Sequence, residues 1–185
     1  MWTDAATTVG GGYYIPLSDC ADGSSGHFGQ CLWSAEEKEI FGTADLESTD
    51  INILEFITVI LAIVAEREIL RGRVVRIHVD NTAAISWINK LKSKHEFGQL
   101  WVALVVTILL EYKITVLCIH IAGVANVTAD DLSRYLQECR LRLLEEGYRQ
   151  STMPSTASRL AIWQGSSIEG EATRRLVQSW LTKQE

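Results

Sequence analysis

The stretch that most constrains the fold is Arg73–Lys90, which reads RVVRIHVDNTAAISWINK. Its first seven residues alternate between two sides, which is the period of a β-strand. Asp80 follows where this strand ends, and Asn81 and Thr82 are residue types that begin helices. The stretch therefore predicts a carboxylate at the carboxyl end of a strand, where open α/β sheets bind their ligands. A structural role for Asp80, as the cap of the following helix, is an equal alternative.

The composition suits a globular α/β protein with one main domain, since 47% of the 185 residues are hydrophobic and 22% are charged. Two apolar runs, 51–65 and 100–110, are shorter than the ~20 residues of a membrane-spanning helix, so we expect buried helices and no membrane partner. The net charge of −6 argues against broad, non-specific binding of nucleic acid. The four cysteines form neither a CxxC pair nor a Cys/His metal spacing. This usage favours a reducing compartment, the cytoplasm or the nucleus.

The first 34 residues predict three strands. A short strand carries Asp4, a second begins at Tyr13, and a third is expected within His27–Ser34. Gly10, Gly11 and Gly12 separate the first two strands and predict a hairpin turn. Three glycines would also let another backbone approach closely, but alone they are weak evidence for a phosphate-binding loop.

A long helix is predicted after Asp50, which could cap it, and should end at Gly72. Its first four turns are apolar almost all round, so it should lie against a sheet and beneath other helices. Glu55 lies in these turns, where an unpaired, ionised carboxylate costs several kcal/mol. A charge-compensated site is therefore favoured over the alternative, a rim residue that reaches solvent or meets an arginine.

The residues after Ile88 add positive charge and then a second apolar strand. Lys90, Lys92 and Lys94 suit either a solvated loop or contacts to a phosphate backbone. A helix over 96–111 leads to the strand Lys113–Ile121, which is apolar on both faces and is expected inside a covered, parallel sheet. His120 ends this strand, and a core histidine is one interpretation of it.

The last well-patterned segment is a helix predicted over 128–147. Thr128 and Asp131 have the spacing of a capping box, which gives Asp131 a structural role and leaves Asp130 as the better candidate for chemistry. Gly147 is expected to end the helix. Residues 148–185 are then predicted to form a linker and a short C-terminal helical tail.

Four acids from separate segments are thus candidates for one site: Asp4, Glu55, Asp80 and Asp130. Carboxylates converging without a cation would repel by about 4 kcal/mol for each pair ~4 Å apart at an effective dielectric of about 20. Divalent cations remove that repulsion, and Mg²⁺ takes oxygen ligands while it keeps waters for chemistry. A pair of such ions can activate water and stabilise the leaving oxygen in phosphodiester hydrolysis.

Four segments carry a resemblance to a known family: TDAATT with its glycines, INILEF, IHVDNTAAISWINK and HIAGVANVTADDLSR. Over roughly residues 1–147, the chain resembles the ribonuclease H domains of retroelement reverse transcriptases. It is most similar to the domains of long-terminal-repeat and tyrosine-recombinase retrotransposons. The resemblance implies an α/β, ribonuclease H-like fold: a five-stranded mixed sheet, with strands 1 to 3 antiparallel and helices on both faces.

The resemblance also implies an activity, which is hydrolysis of the RNA strand of RNA–DNA hybrids with two Mg²⁺ ions. Asp4 would bridge both ions, for which Mn²⁺ is the expected substitute. Glu55 and Asp80 would hold one ion, and Asp130 would hold the other. His120 matches a family histidine that assists turnover or product release. The expected partner is the reverse transcriptase domain of the same polyprotein.

Substrate contacts are expected from the lysine-rich segment and from two asparagines. The residues are Asn81, Lys90, Lys92, Lys94 and Asn126, of which Asn126 should also shape the loop before Asp130. A second interpretation is a catalytically inactive binding or connecting module with the same fold. A third is another nuclease of this fold, such as an integrase or a 3′–5′ exonuclease. The exonucleases carry a Glu two residues after the first Asp, where this chain has Ala6.

Overall fold

The computed structural model describes residues 1–18, 23–40, 48–93 and 96–164. Lys94 and the helical tail predicted within 165–185 lie outside these residues. The described chain is an α/β fold built on one six-stranded mixed sheet. Its strands are β1 (Trp2–Ala5), β2 (Gly10–Pro16), β3 (Gly26–Leu32), β4 (Val74–Val79), β5 (Thr115–His120) and β6 (Tyr148–Gln150).

The order of the strands across the sheet is β5-β4-β1-β2-β3-β6. The first three strands pair with one another in antiparallel fashion, as predicted. β4 is parallel to β1 and β5 is parallel to β4. The prediction of five strands is wrong, because β6 adds a sixth beside β3. At three residues, β6 is too short for an alternating pattern to reveal it.

Helices connect and cover these strands: α1 (Ala35–Ile40), α2 (Ser48–Ala65), α3 (Arg67–Leu70), α4 (Thr82–Lys90), α5 (Glu96–Glu111), α6 (Val127–Ser133), α7 (Gln137–Glu145) and α8 (Thr156–Gln164). The expected cap at Asp50 is wrong, since α2 begins at Ser48. The helix predicted over 128–147 is two helices, which separate at Tyr135 in a left-handed conformation (φ 62°). None of the described helices has both the length and the apolar character that crossing a membrane requires.

Glycines allow helices to pack closely on both faces of β2. The hairpin turn is at residues 6–9, and Gly10–Gly12 belong to the strand itself, so the predicted glycine turn is wrong. A Cβ on Gly11 would lie 2.4 Å from Thr58 Oγ1 of α2, and one on Gly12 would lie 2.5 Å from Leu132 Cβ of α6. Because successive residues of a strand face opposite sides, α2 and α6 cover opposite faces.

The larger core lies on the α2 face of the sheet. Most of α2 is buried, as its apolar sequence predicts, and it contacts β1, β2, α4 and α5. A smaller cluster on the opposite face joins Leu132, Cys139 and Leu143 to Phe28. β5 lies at the edge of the sheet with Leu117 49% exposed, so its predicted position inside a covered sheet is wrong.

Residues 148–164 pack against the rest of the described chain. The linker prediction is wrong for Tyr148–Gln150, which form β6 in register with Gly26–Phe28. Farther along, Arg159 forms a buried ion pair with Glu37, with Nε–Oε1 at 2.6 Å and Nη2–Oε2 at 2.8 Å. The predicted boundary at 147 therefore does not separate two packed parts within the described residues.

Candidate metal centre

The candidate site forms where the carboxyl ends of two parallel strands meet. β1 and β4 are adjacent and parallel, so Asp4 near the end of β1 lies close to Asp80, which follows β4. Glu55 reaches the same end of the sheet from α2, and the Ala5 N–H donates to its Oε1 at 3.3 Å. Asp130 approaches from α6 on the opposite face. Chain topology thus explains why acids so far apart in sequence converge.

Three of the four predicted acids form a compact cluster. One carboxylate oxygen from each of Asp4, Glu55 and Asp80 lies within 4.8 Å of the others, a grouping that could hold a metal ion. Asp4 and Glu55 are buried, with exposures of 5% and 3%, and Asp80 is half-buried. All four acids line one cavity of about 400 Å³, together with the hairpin turn after β1 and Arg134 of the α6 end.

Burial and mutual repulsion disfavour the ionised forms of these acids. Burial raises the pKa of Asp4 to about 7, and the charges of Asp80 and Asp130 act in the same direction. Burial raises the pKa of Glu55 well above its ordinary value, and the charges of Asp4 and Asp80 raise it further. The pKa of Asp80 is also raised, mainly by burial. Without a cation, this cluster therefore holds protons that an exposed cluster would release at neutral pH.

The hydrogen bonds around Glu55 fit a cation ligand. Its Oε2 is buried and has no hydrogen-bond partner among the described residues, while Oε1 has one long bond from a backbone N–H. The alternative of a rim residue that reaches solvent is wrong, because Glu55 is 3% exposed. Carboxylate oxygens are the donors that hard divalent cations prefer. The residues present therefore fit an oxygen-liganded ion such as Mg²⁺.

Asp130 lies at the cavity but stands apart from the three-acid cluster. Its Oδ1 accepts from Arg134 Nε at 2.9 Å and lies 2.9 Å from Nη2 of the same side chain. The side chain of Asp130 is 38% exposed. The predicted capping box of Thr128 with Asp131 is wrong, since Thr128 is inside α6. Asp130 nevertheless lines the cavity, as the fourth predicted acid.

Asn81, rather than Asp80, caps α4. Its Oδ1 accepts from the backbone N–H groups of Ala83 and Ala84, at 2.9 and 3.0 Å. Its Nδ2 donates to Asn52 Oδ1 at 2.8 Å, which ties the start of α4 to α2. The alternative in which Asp80 is only a helix cap is therefore wrong, and its carboxylate is available to the cavity.

His120 lies beside Asp80 and is exposed. It pairs with Val79 in the β4–β5 register, and its charge lowers the pKa of Asp80. The interpretation of His120 as a core histidine is wrong, because its side chain is on the surface at the end of an edge strand. That position leaves the ring accessible from solvent, next to the acids.

Two polar residues near the fourth acid support the site. Asn126 is buried, and its Nδ2 donates to the Thr3 carbonyl at 3.0 Å, which fixes the start of α6 against β1. Ser133 Oγ donates to Asp4 Oδ2 at 2.7 Å. Sequence analysis missed Ser133 and Arg134. The spacing of four between Asp130 and Arg134 could have indicated their ion pair, whereas nothing local indicates a contact between residues 4 and 133.

The predicted lysine contacts lie away from the cavity. Lys90 and Lys92 are exposed at the carboxyl end of α4, roughly 13 Å along the helix from Asn81 at 1.5 Å per residue. The structure therefore does not join them to the acids. Lys94 lies outside the described residues.

Comparison of the chain with protein-family models, with curated proteins and with solved structures gave no match in any of the three.

Proposed function

We propose that this protein is a Mg²⁺-dependent ribonuclease H that hydrolyses the RNA strand of RNA–DNA hybrids, as part of a retroelement reverse transcriptase. The observation that carries the proposal is the buried cluster of Asp4, Glu55 and Asp80, with its oxygens within 4.8 Å of one another. The sequence resemblance and the antiparallel β1–β3 support the same conclusion. The reverse transcriptase domain of the same polyprotein is the partner that this proposal implies.

The roles of the acids are those that the sequence resemblance implies. Asp4, Glu55 and Asp80 would hold one ion, and Asp4 with Asp130 would hold a second. When bound, two Mg²⁺ ions activate a water and stabilise the leaving oxygen of the phosphodiester. Ser133 keeps one oxygen of Asp4 occupied and so orients its carboxylate. Because Glu55 is buried, bulk water is absent from its side of the cavity. The interaction of Glu55 with a cation is therefore stronger than it would be in water.

His120 and the lysines would act on the substrate. His120 is exposed beside Asp80 and could exchange a proton with the departing product strand. Lys90 at the end of α4 and Lys92 just after it are exposed and are proposed to contact the hybrid backbone away from the cleaved bond. Asn81 and Asn126 would act by holding α4 and α6 in position.

The decisive experiment is cleavage of a labelled RNA–DNA hybrid by the Asp80→Asn variant. We expect a loss of roughly a hundredfold or more, because one ligand and its charge are removed from the reacting centre. Asp131→Asn is the matched control: Asp131 follows Asp130 on α6 but does not line the cavity, and cleavage should be retained. Duplex DNA and single strands should not be cut. Full cleavage of the hybrid by Asp80→Asn would refute the proposal.

One observation favours a second candidate function, hybrid binding without cleavage. Asp130 is paired with Arg134 and does not belong to the three-acid cluster, so the second ion would have to compete with a guanidinium for this ligand. In that case the chain would bind hybrid with a strong dependence on salt concentration and show no turnover. Cleavage by the wild-type chain that requires Mg²⁺ would exclude this candidate.

A further inference from the structure

Arg134 is the one cationic side chain among the described residues that line the cavity. It lies directly after α6, four residues beyond Asp130, and both Nε and Nη2 are 2.9 Å from the same oxygen, Oδ1. A plain helix-surface pair would account for this spacing. A helix-surface pair does not explain why Arg134 lies in the cavity. There its guanidinium is beside three clustered acids and also acts on their charges.

The surroundings of the pair point to an exchangeable contact. The side chains of Arg134 and Asp130 are 57% and 38% exposed, so neither is trapped. Exposed pairs of this kind contribute little to stability, and a competing cation can displace them. Arg134 also lowers the pKa of the buried Asp4, which shows that its charge reaches the cluster.

We propose that Arg134 is an internal cation that competes with the second metal ion for Asp130 and so sets the metal concentration at which the second site fills. This inference rests on the proposed two-ion function. The first ion needs only Asp4, Glu55 and Asp80, none of which has a hydrogen bond from Arg134 among the described contacts. The second ion needs Asp130, and the guanidinium at Oδ1 competes with that ion for the charge of the carboxylate.

The two steps of metal binding should therefore depend on Arg134 differently. Filling of the first site should change less than filling of the second when Arg134 is replaced, because Arg134 contacts Asp130 directly and acts on Asp4 only through its charge. Filling of the second site should become two- to fivefold tighter, which corresponds to about 0.4–1 kcal/mol at 1.4 kcal/mol per tenfold change. As a result, the wild-type chain should hold a single ion over a range of metal concentrations. This range should be narrower in the variant.

The test is a titration of the full chain with Mn²⁺, without nucleic acid. Electron paramagnetic resonance distinguishes free from bound Mn²⁺, and wild type is compared with Arg134→Gln. We expect a second-site dissociation constant two- to fivefold lower in the variant, with a smaller change in the first-site constant. Arg140→Gln is the matched control, since Arg140 is a cation of α7 that hydrogen-bonds Gln137 and Gln150 and lies outside the cavity.

The outcomes separate this inference from the proposed function. An unchanged second-site constant in Arg134→Gln, with a normal first site, would overturn the competition alone. The same tightening in Arg140→Gln would also overturn it, because the effect would then be one of net charge. If wild type binds one ion only, the variant should gain a second, and failure to do so would refute the inference. A wild-type chain that binds no Mn²⁺ at millimolar concentration would refute the proposed function itself.

Discussion

Glu37 and Glu55 are both glutamates on helices and both almost fully buried, at 0% and 3% exposure, yet their surroundings are opposite. Both oxygens of Glu37 accept from Arg159, and Oε2 also accepts from the Ser34 N–H at 2.9 Å. Glu55 has one backbone donor, a buried oxygen without a hydrogen-bond partner, and two further carboxylates within 4.8 Å.

The difference indicates that the buried charge of Glu37 stabilises the fold, whereas the buried charge of Glu55 is suited to binding a ligand. The chain neutralises Glu37 with its own arginine, and the pair joins α1 to α8. For Glu55 the described residues supply no cation, and the neighbouring acids make ionisation harder still. A buried carboxylate left in this state is suited to a cation that arrives from solution.

The largest expected effect on the free energy of unfolding comes from neutralising Glu37 and Glu55 one at a time. Glu37→Gln leaves Arg159 buried without its carboxylate and should lower the free energy of unfolding by about 3–5 kcal/mol. Glu55→Gln removes a repelled carboxylate and should leave the metal-free protein as stable as wild type, or more stable. Urea unfolding with EDTA present measures both. Equal destabilisation by the two variants would contradict the distinction between Glu37 and Glu55.

The pH dependence of stability should be the next largest effect. The folded chain raises the pKa of Asp4 from 3.8 to about 7, so the folded state binds this proton more tightly than the unfolded state. The resulting stabilisation is complete below about pH 4 and is lost as the pH rises through 7. In EDTA, the free energy of unfolding should fall by a few kcal/mol over this window. Asp4→Asn should flatten the profile; a profile as steep as that of wild type would contradict the assignment.

Mg²⁺ should produce a smaller, opposite effect at neutral pH. An ion that binds only the folded state at ten times its dissociation constant stabilises by about 1.4 kcal/mol, so the melting temperature should rise. Thermal unfolding with and without Mg²⁺ measures this shift, and Asp80→Asn should reduce it. A melting temperature unaffected by millimolar Mg²⁺ would mean that the three acids do not bind the ion.

The smallest expected effect concerns the hydroxyl that supports Asp4. Ser133→Ala removes the 2.7 Å hydrogen bond to Asp4 Oδ2 and should cost about 1 kcal/mol at neutral pH, where the carboxylate accepts it. Because this bond lowers the pKa of Asp4, its loss should raise that pKa further. The midpoint of the pH–stability profile in EDTA should move upward. An unmoved midpoint would show that Ser133 does not act on the ionised form.

Local sequence patterns predicted the parts of the fold that depend on neighbours along the chain. The alternation over 73–79 predicted β4, and the apolar run of α2 predicted its burial. Asp80 was predicted at a strand end because strand and helix signals meet there. The capping box of Ser34 with Glu37 is also a local sequence signal, and it marks the start of α1.

Contacts between distant segments could not be predicted in the same way. The pairing of β6 with β3 joins residues about 120 positions apart through three backbone pairs. The hydrogen bond from Ser133 to Asp4 spans 129 positions. The gathering of Asp4, Glu55 and Asp80 was predicted from their places at strand and helix ends together with the sequence resemblance, and not from contacts along the chain.

The absence of a side chain at Gly12 has a consequence for the precision of this centre. Gly12 pairs with Asp4 across the β1–β2 ladder, and its Cα faces Leu132 and the Ser133 backbone. The distance between Asp4 and α6, the helix that carries Asp130, is therefore set by backbone groups. No flexible side chain lies between them. A single added methyl would push α6 outward and widen the gap between opposing carboxylates, and displacements of about 1 Å can slow catalysis a hundredfold.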